Sequence, residues 1–317
     1  MIAFPPRDPT SARALALALA LAPGLAAAEP EPGSPPAMEI TLRGLPHGEA
    51  PDRCRPIGEG TAGGPAVRLV ASFRDDFDGL DLRHGPWTPH FDHNGYGDWR
   101  ARTLAANDEL QIYVDPGFAG TGRHPLGLDP FTVRDGVLGL VARPTPPAAL
   151  PRLQGLPFVS GMISSRASFL QKYGYFEIRA RLPGGAGLWP AFWLLSPGGW
   201  PPEIDAMEAR GVPGYAVHVH WSDGGATRSS GCDIPLADGS DAFHAYGVLW
   251  TPAAIAFYLD RVPVAWMRTK PGFERPMYLL ANLAVGGWAG EPDTTTPFPA
   301  TYAIDSIAAW SLAAAPE

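Results

Sequence analysis

Long hydrophobic runs are nearly missing from this 317-residue sequence, and lysine and cysteine are almost as scarce. The one extended apolar run, Ala14 to Ala22, is too short to span a bilayer, and no second one occurs. That argues against an integral membrane protein. Lys172 and Lys270 are the only lysines, and the formal net charge is −8. An acidic chain argues against nucleic acid and anionic lipid as partners, and leaves a neutral polymer open. Two cysteines, Cys54 and Cys232, leave room for a single disulfide at most. Strongly helical segments are scarce as well.

What the sequence does contain is glycine and proline, 37 of each, in a chain that is 45% hydrophobic and 10% aromatic. Many short strands joined by tight turns fit that balance. Arg7 and Arg13 precede the apolar run, and Ala26-Ala27-Ala28 forms a small-residue cleavage pattern before Glu29. Residues 1–28 therefore read as a signal peptide, cleaved after Ala28, with the product secreted or periplasmic. No cysteine follows the run to carry a lipid, so release is expected. Its removal leaves 22 basic and 31 acidic residues. Export would permit a Cys54–Cys232 bridge, but so large a separation in sequence leaves the pairing open. Residues 29–65, rich in Pro, Gly and Glu, read as a linker or loosely attached arm. Ordered sequence is expected from near Val67, in one domain over 66–315.

Strand signals recur from there: LQIYV (110–114), GVLGLVA (136–142), GYFEIRARL (174–182), YAVHVHW (215–221), AYGVLW (245–250), PMYLLANLAV (276–285) and AIDSIAAW (303–310). Turn pairs such as Asp135-Gly136 and Asp223-Gly224 punctuate them. In 174–182, Tyr175, Glu177, Arg179 and Arg181 alternate with Phe176, Ile178, Ala180 and Leu182. One wet and one packed face are expected, as in an antiparallel sandwich.

EIDAME (203–208) sets three carboxylates into an otherwise apolar stretch. In a regular strand Glu203 and Asp205 share one face, and Glu208 points into the core, where an unpaired carboxylate is costly. A β-bulge at Ala206-Met207 reverses the register and brings Glu208 beside the other two, with Ile204 and one bulge residue inward. Two such acids roughly 5–5.5 Å apart perform retaining glycoside cleavage. Clustered carboxylates also bind Ca²⁺, but adjacent strand positions without loop ligands make a poor cage.

EIDAME, with GLWPAFWLL just upstream, resembles the bulged signature of glycoside hydrolase family 16. SFRDDFDGLDLRHGPW, NDELQIY, SGMISSRASFLQKYGYFEIRARLP and MYLLANLAVGGWAGEPDTTTPFP resemble further family blocks, in the right order. Ala206, smaller than the usual branched residue, departs from the pattern. The resemblance implies an all-β fold, a concanavalin A-like jelly roll of two curved antiparallel sheets with a concave substrate cleft. It also implies that 66–315 is a catalytic domain acting on a β-linked polysaccharide, with Glu203 as nucleophile, Asp205 as its helper and Glu208 as acid/base. SPGGWPPEID and NDELQIYVDPG look most like bacterial exopolysaccharide depolymerases that cleave succinoglycan. A lectin on the same fold, or a transglycosylase, is the alternative.

Sugar faces stack on aromatic rings, so Trp189, Trp193 and Trp288 are candidate substrate contacts, as are Tyr96 and Trp99. Asn107 in NDELQ resembles a sugar-binding Asn of the family, and Glu109 shares its strand face. His218 and His220 alternate onto one face of the expected neighbouring strand; His220 is favoured as the substrate or acid contact. Asp305 matches a position that in relatives helps hold a structural Ca²⁺, which the resemblance completes with backbone oxygens from elsewhere, near Gly136. No cofactor is expected in the chemistry, and the protein is expected to be a monomer.

Overall fold

A computed structural model describes residues 39–58, 63–92, 97–211, 213–236 and 242–313. Runs rich in β-branched and aromatic residues, cut by Gly and Pro, become strands nearly throughout. In chain order they are β1 (Glu39–Leu42), β2 (Arg55–Pro56), β3 (Val67–Asp75), β4 (Gln111–Tyr113), β5 (Phe131–Arg134) and β6 (Val137–Pro144). Next come β7 (Phe158–Ser160), β8 (Met162–Ser164), β9 (Gly174–Arg181), β10 (Leu188–Leu195), β11 (Glu203–Glu208) and β12 (Tyr215–Asp223). The last are β13 (Ala226–Ile234), β14 (His244–Trp250), β15 (Ala254–Leu259), β16 (Val262–Arg268), β17 (Tyr278–Val285) and β18 (Ala300–Leu312). The flagged Asp135-Gly136 pair turns β5 into β6 with both residues at positive φ, 52° and 71°, the twist that a two-residue hairpin needs.

Six strands form one sheet in the order β13-β12-β11-β10-β17-β8. The larger sheet runs β2-β16-β15-β14-β9-β18-β6-β7-β4, with β3 also on β18, β1 on β3 and β5 on β6. Apart from β4 with β7, the described pairings are antiparallel. This is the expected jelly roll of two sheets. Its core interleaves Phe176, Ile178, Val248 and Ile307 of the larger sheet with Phe192, Leu194, Val219 and Leu283 of the smaller. Each such buried side chain contributes roughly 1.5–3 kcal/mol. Among the described residues no helix is long and apolar enough to cross a membrane.

Two expectations need correction. Tyr175 and Glu177 are not on a wet face: both are buried, and a second cluster of Leu42, Leu69, Tyr258, Trp266 and Trp310 covers them. Glu177 is satisfied there by the Tyr175 hydroxyl at 2.8 Å and by two bonds from Arg261. Part of that cover, Leu42 with Ile40, Leu45, Ala50 and Ile57 packed against it, comes from the segment read as a loose arm. β1 pairs with β3 and β2 with β16, and the Tyr258 hydroxyl donates to the Arg43 carbonyl. Strands of four and two residues are too short to show a period, which is why composition alone suggested a linker. The cysteines are bonded: Cys54, beside β2, joins Cys232 on β13 across a Cα separation of 5.9 Å. The bridge ties the edge of the larger sheet to the edge of the smaller. The expected signal peptide lies outside the described residues.

Candidate active site

β11 is the third strand of the smaller sheet, between β12 and β10. Against β10, Trp193 faces Asp205 but Phe192 faces Met207, so Ala206 is an extra residue. The register with β12 shifts over the same stretch, between Asp205 and Glu208. The bulge that the carboxylate pattern required is therefore present. Its interior differs from expectation in one respect: Ala206 and Met207 both join Ile204 in the core, because neither is polar and the kinked backbone can turn both inward. Glu203, Asp205 and Glu208 all line a groove of about 1030 Å³ over the smaller sheet.

Each acid has its own partners. Trp200 Nε1 donates to Glu203 Oε2 at 3.0 Å. His220 Nε2 lies 3.7 Å from Glu203 Oε1 and 3.3 Å from Asp205 Oδ2. Trp189 Nε1 donates to Glu208 Oε1 at 3.1 Å, and His218 Nδ1 lies 2.7 Å from Glu208 Oε2. That imidazole can donate to a carboxylate or accept from a carboxylic acid, so it supports Glu208 in either form. Burial holds Glu203 above the usual carboxylate range; the neighbouring Asp205 adds to the rise and His220 opposes it. Asp205 is raised well above its ordinary value by burial and then by the charge of Glu208. Acids this close do not all ionise together. Asp205 is 3% exposed, and its Oδ2 lacks a hydrogen bond. Glu203 has an indole donor and an imidazole beside it.

The remaining predicted contacts converge on the same groove. Asn107, Trp189, Trp193, His220 and Trp288 all line it. Trp193 is mostly structural: it is 8% exposed, and its Nε1 donates to Asn282 Oδ1 at 2.7 Å. Trp200 and Trp288 are the open rings, 57% and 41% exposed. Trp288 packs edge-on against Trp189 and His218. Asn107 donates to Glu109 Oε1 at 3.3 Å, and Gln111 and the Leu104 amide donate to Glu109 Oε2. Burial raises Glu109 from 4.5 to about 7, against the pull of those donors.

His220, favoured as the substrate or acid contact, lines the groove and stands beside Glu203 and Asp205, while Glu208 is met by His218, because the bulge moves Glu208 one step along β12. Another candidate is overturned. Trp99 does not line the groove; it sits in a short 3-10 turn and packs beside Ile112, Val114 and Phe118. Tyr96 lies outside the described residues. Trp200 was missed, although its indole stands three residues before Glu203. Asn282 was missed too, although it is a lone polar residue in LLANLAV, where only a polar partner justifies burial.

Two sets, Glu203–Asp205–His220 and Asp205–Glu208–His218, bring one ligand-type atom each within 4.8 Å of one another. These sets have the donors for a cation, but no step below uses one. Asp305 lies where the pairing of β18 with β9 is irregular, and its Oδ2 is 3.1 Å from Arg179 Nη1. A guanidinium on that oxygen opposes a Ca²⁺ there, so the described surroundings of Asp305 do not fit the ion.

A family model for glycosyl hydrolases family 16 matches residues 133–306. The chain belongs to family 16. The endo-1,3-1,4-beta-glycanase ExsH of Rhizobium meliloti (strain 1021) is 40% identical over 250 residues, covering 77% of this chain and 52% of that protein. A beta-glucanase of Rhodothermus marinus is 32% identical over 271 residues, covering 77% of this chain and 85% of the relative. The laminarinase catalytic domain of Thermotoga maritima MSB8 superposes with a TM-score of 0.62 at 27% identity, covering 78% of this chain and 99% of that domain. The chain spans about half the length of the Rhizobium relative it matches. Family and fold agree with the sequence reading.

Proposed function

We propose that this family 16 chain is a secreted, endo-acting, retaining β-glycanase that hydrolyses β-1,3/β-1,4-linked glucan or a succinoglycan-like exopolysaccharide. The observation that carries this reading is the bulge in β11, which sets Glu203 and Glu208 in one groove on either side of a buried Asp205. The Rhizobium and Rhodothermus relatives, named as β-glycanase and β-glucanase, support the substrate class. An open groove accepts a chain along its length, which favours internal cleavage.

In the proposed mechanism the Glu203 carboxylate attacks the anomeric carbon while Glu208 gives its proton to the departing glycosidic oxygen. The C–O bond to the leaving sugar breaks as the ester to Glu203 forms. Glu208, now a carboxylate, takes a proton from water, and the hydroxide so formed releases the sugar with its original configuration. Asp205 keeps its proton and shares it with Glu203, holding the nucleophile ionised and oriented. His218 and Trp189 hold Glu208, and Trp200 and His220 hold Glu203. Trp288 and Trp200 offer exposed ring faces to the sugars.

Incubation with succinoglycan, lichenan, laminarin and agarose, with oligosaccharides sized over time, tests this reading. Early appearance of mid-length fragments from a β-glucan or exopolysaccharide is expected. Binding without cleavage would instead make the chain a lectin. Secretion is tested by the mature N-terminus of the exported product, expected at Glu29.

A further inference from the structure

Gly231 stands inside β13, the edge strand of the smaller sheet, between Ser230 and Cys232. A strand interior disfavours glycine, which packs nothing and loses the most backbone entropy on folding. Conformation does not call for it, because the φ of Gly231 lies outside the left-handed region. Space does. Gly231 pairs directly with His218, so the two share the groove face of the sheet. A Cβ built on Gly231 would run into His218 Cδ2, and would lie 2.5 Å from Nε2 of the same ring and 2.6 Å from the Val217 carbonyl oxygen. One edge of the imidazole therefore rests on bare backbone, while Nδ1 lies 2.7 Å from Glu208 Oε2.

Neither partner has room to yield. The His218 ring also packs edge-on against Trp288, with centroids 5.3 Å apart, so turning it away from residue 231 costs its bond to Glu208 or its contact with the indole. An edge strand would ordinarily move aside instead. Here β13 is gripped at both neighbours of Gly231, on the core side of the strand. The Cys54 N–H donates to Ser230 Oγ at 3.0 Å, and the Cys54 sulfur is bonded to that of Cys232.

We infer that Gly231 is a positioning residue for the proton transfers of Glu208. By leaving out a side chain on a strand that Cys54 holds still, it lets the His218 ring lie where Nδ1 meets the Glu208 carboxyl. The inference rests on the glycanase reading above.

The test uses two substrates, lichenan and the 2,4-dinitrophenyl glycoside of a lichenan oligosaccharide. Dinitrophenolate departs without a proton, whereas the sugar leaving group of lichenan needs one from Glu208. The readout is the ratio of kcat/KM on lichenan to kcat/KM on the aryl glycoside, for wild type, G231A, H218A and G231A/H218A. G231A should lower the ratio about tenfold, the scale of one hydrogen bond to a charged group. In the H218A background, where no ring is displaced, G231A should leave the ratio unchanged. C54S frees β13 behind Gly231 without adding a methyl; it should lower the ratio severalfold, and it reads the same link if G231A does not fold. Because each ratio is taken within one variant, a lost folded fraction does not move it. A ratio unchanged in G231A (or in C54S, where G231A does not fold), or lowered equally with and without His218, would overturn the inference and leave the glycanase reading intact. Failure of wild type to cut either substrate would remove both.

Discussion

His218 Nδ1 lies 2.7 Å from Glu208 Oε2, although the two residues are not paired across the sheet: His218 stands opposite Asp205, and Glu208 stands opposite Ala216. The bulge alone brings them together. Replacing His218 with Phe should therefore lower kcat by about 10²-fold, the low end of what a positioned proton donor contributes, with a much smaller change in KM. Steady-state kinetics on the best polymer checks this. A change confined to KM would assign His218 to sugar binding instead.

Glu109 predicts a pH-dependent stability. Its folded value is about 7 against an ordinary 4.5, so the fold binds this proton more tightly than the unfolded chain does. The stability from that preference is fully present below about pH 4.5 and is lost as pH rises through about 7, to about 3 kcal/mol. Glu109→Gln keeps an acceptor without the charge. The difference in Tm between E109Q and wild type should grow in favour of the variant from pH 5 to pH 8. A constant difference would contradict the assignment.

The Cys54–Cys232 bond closes a sequence separation of 178 residues. On a chain-entropy account such a loop contributes about 5 kcal/mol. Cys54→Ser and Cys232→Ser should each shift denaturant unfolding to lower midpoint by a comparable amount, and the double variant should shift it no further. Additive losses would mean that the thiols act separately.

Trp200 reaches Glu203 from outside the strand, with 57% of its surface exposed. Trp200→Phe keeps a stacking face and removes the N–H donor. It should reduce kcat about tenfold, the scale of one hydrogen bond to a charge, and do so more than it raises KM. A pure KM effect, read from the same kinetics, would make the ring only a platform for sugar.

The acid-bearing strand was legible because its chemistry conflicts with its period. A carboxylate at Glu208 has no tolerable place in a regular strand, so the bulge followed from the price of burying it. The sandwich was legible from its many short strand runs and the turns between them, whereas the alternation in 174–182 misplaced Tyr175 and Glu177, which are buried. What the bulge does to the neighbouring strand was not legible: which histidine meets which acid depends on the pairing register of β12, and period alone leaves both on one face. The N-terminal strands were hidden by their length. Asn282 was hidden by its neighbours, since LLANL looks like ordinary core. Its role comes from strand β17, which meets β10 and through it β11 only in the folded chain.

The central claim is that Glu203 and Glu208 act on one sugar from the same strand, the first as nucleophile and the second as acid and base. Proton NMR of the first products of β-glucan cleavage, recorded before mutarotation, tests it most directly. The account predicts β-anomers first, with E203A inactive on the polymer and azide restoring an α-glycosyl azide from an activated substrate. Early α-anomers from the wild type would contradict it.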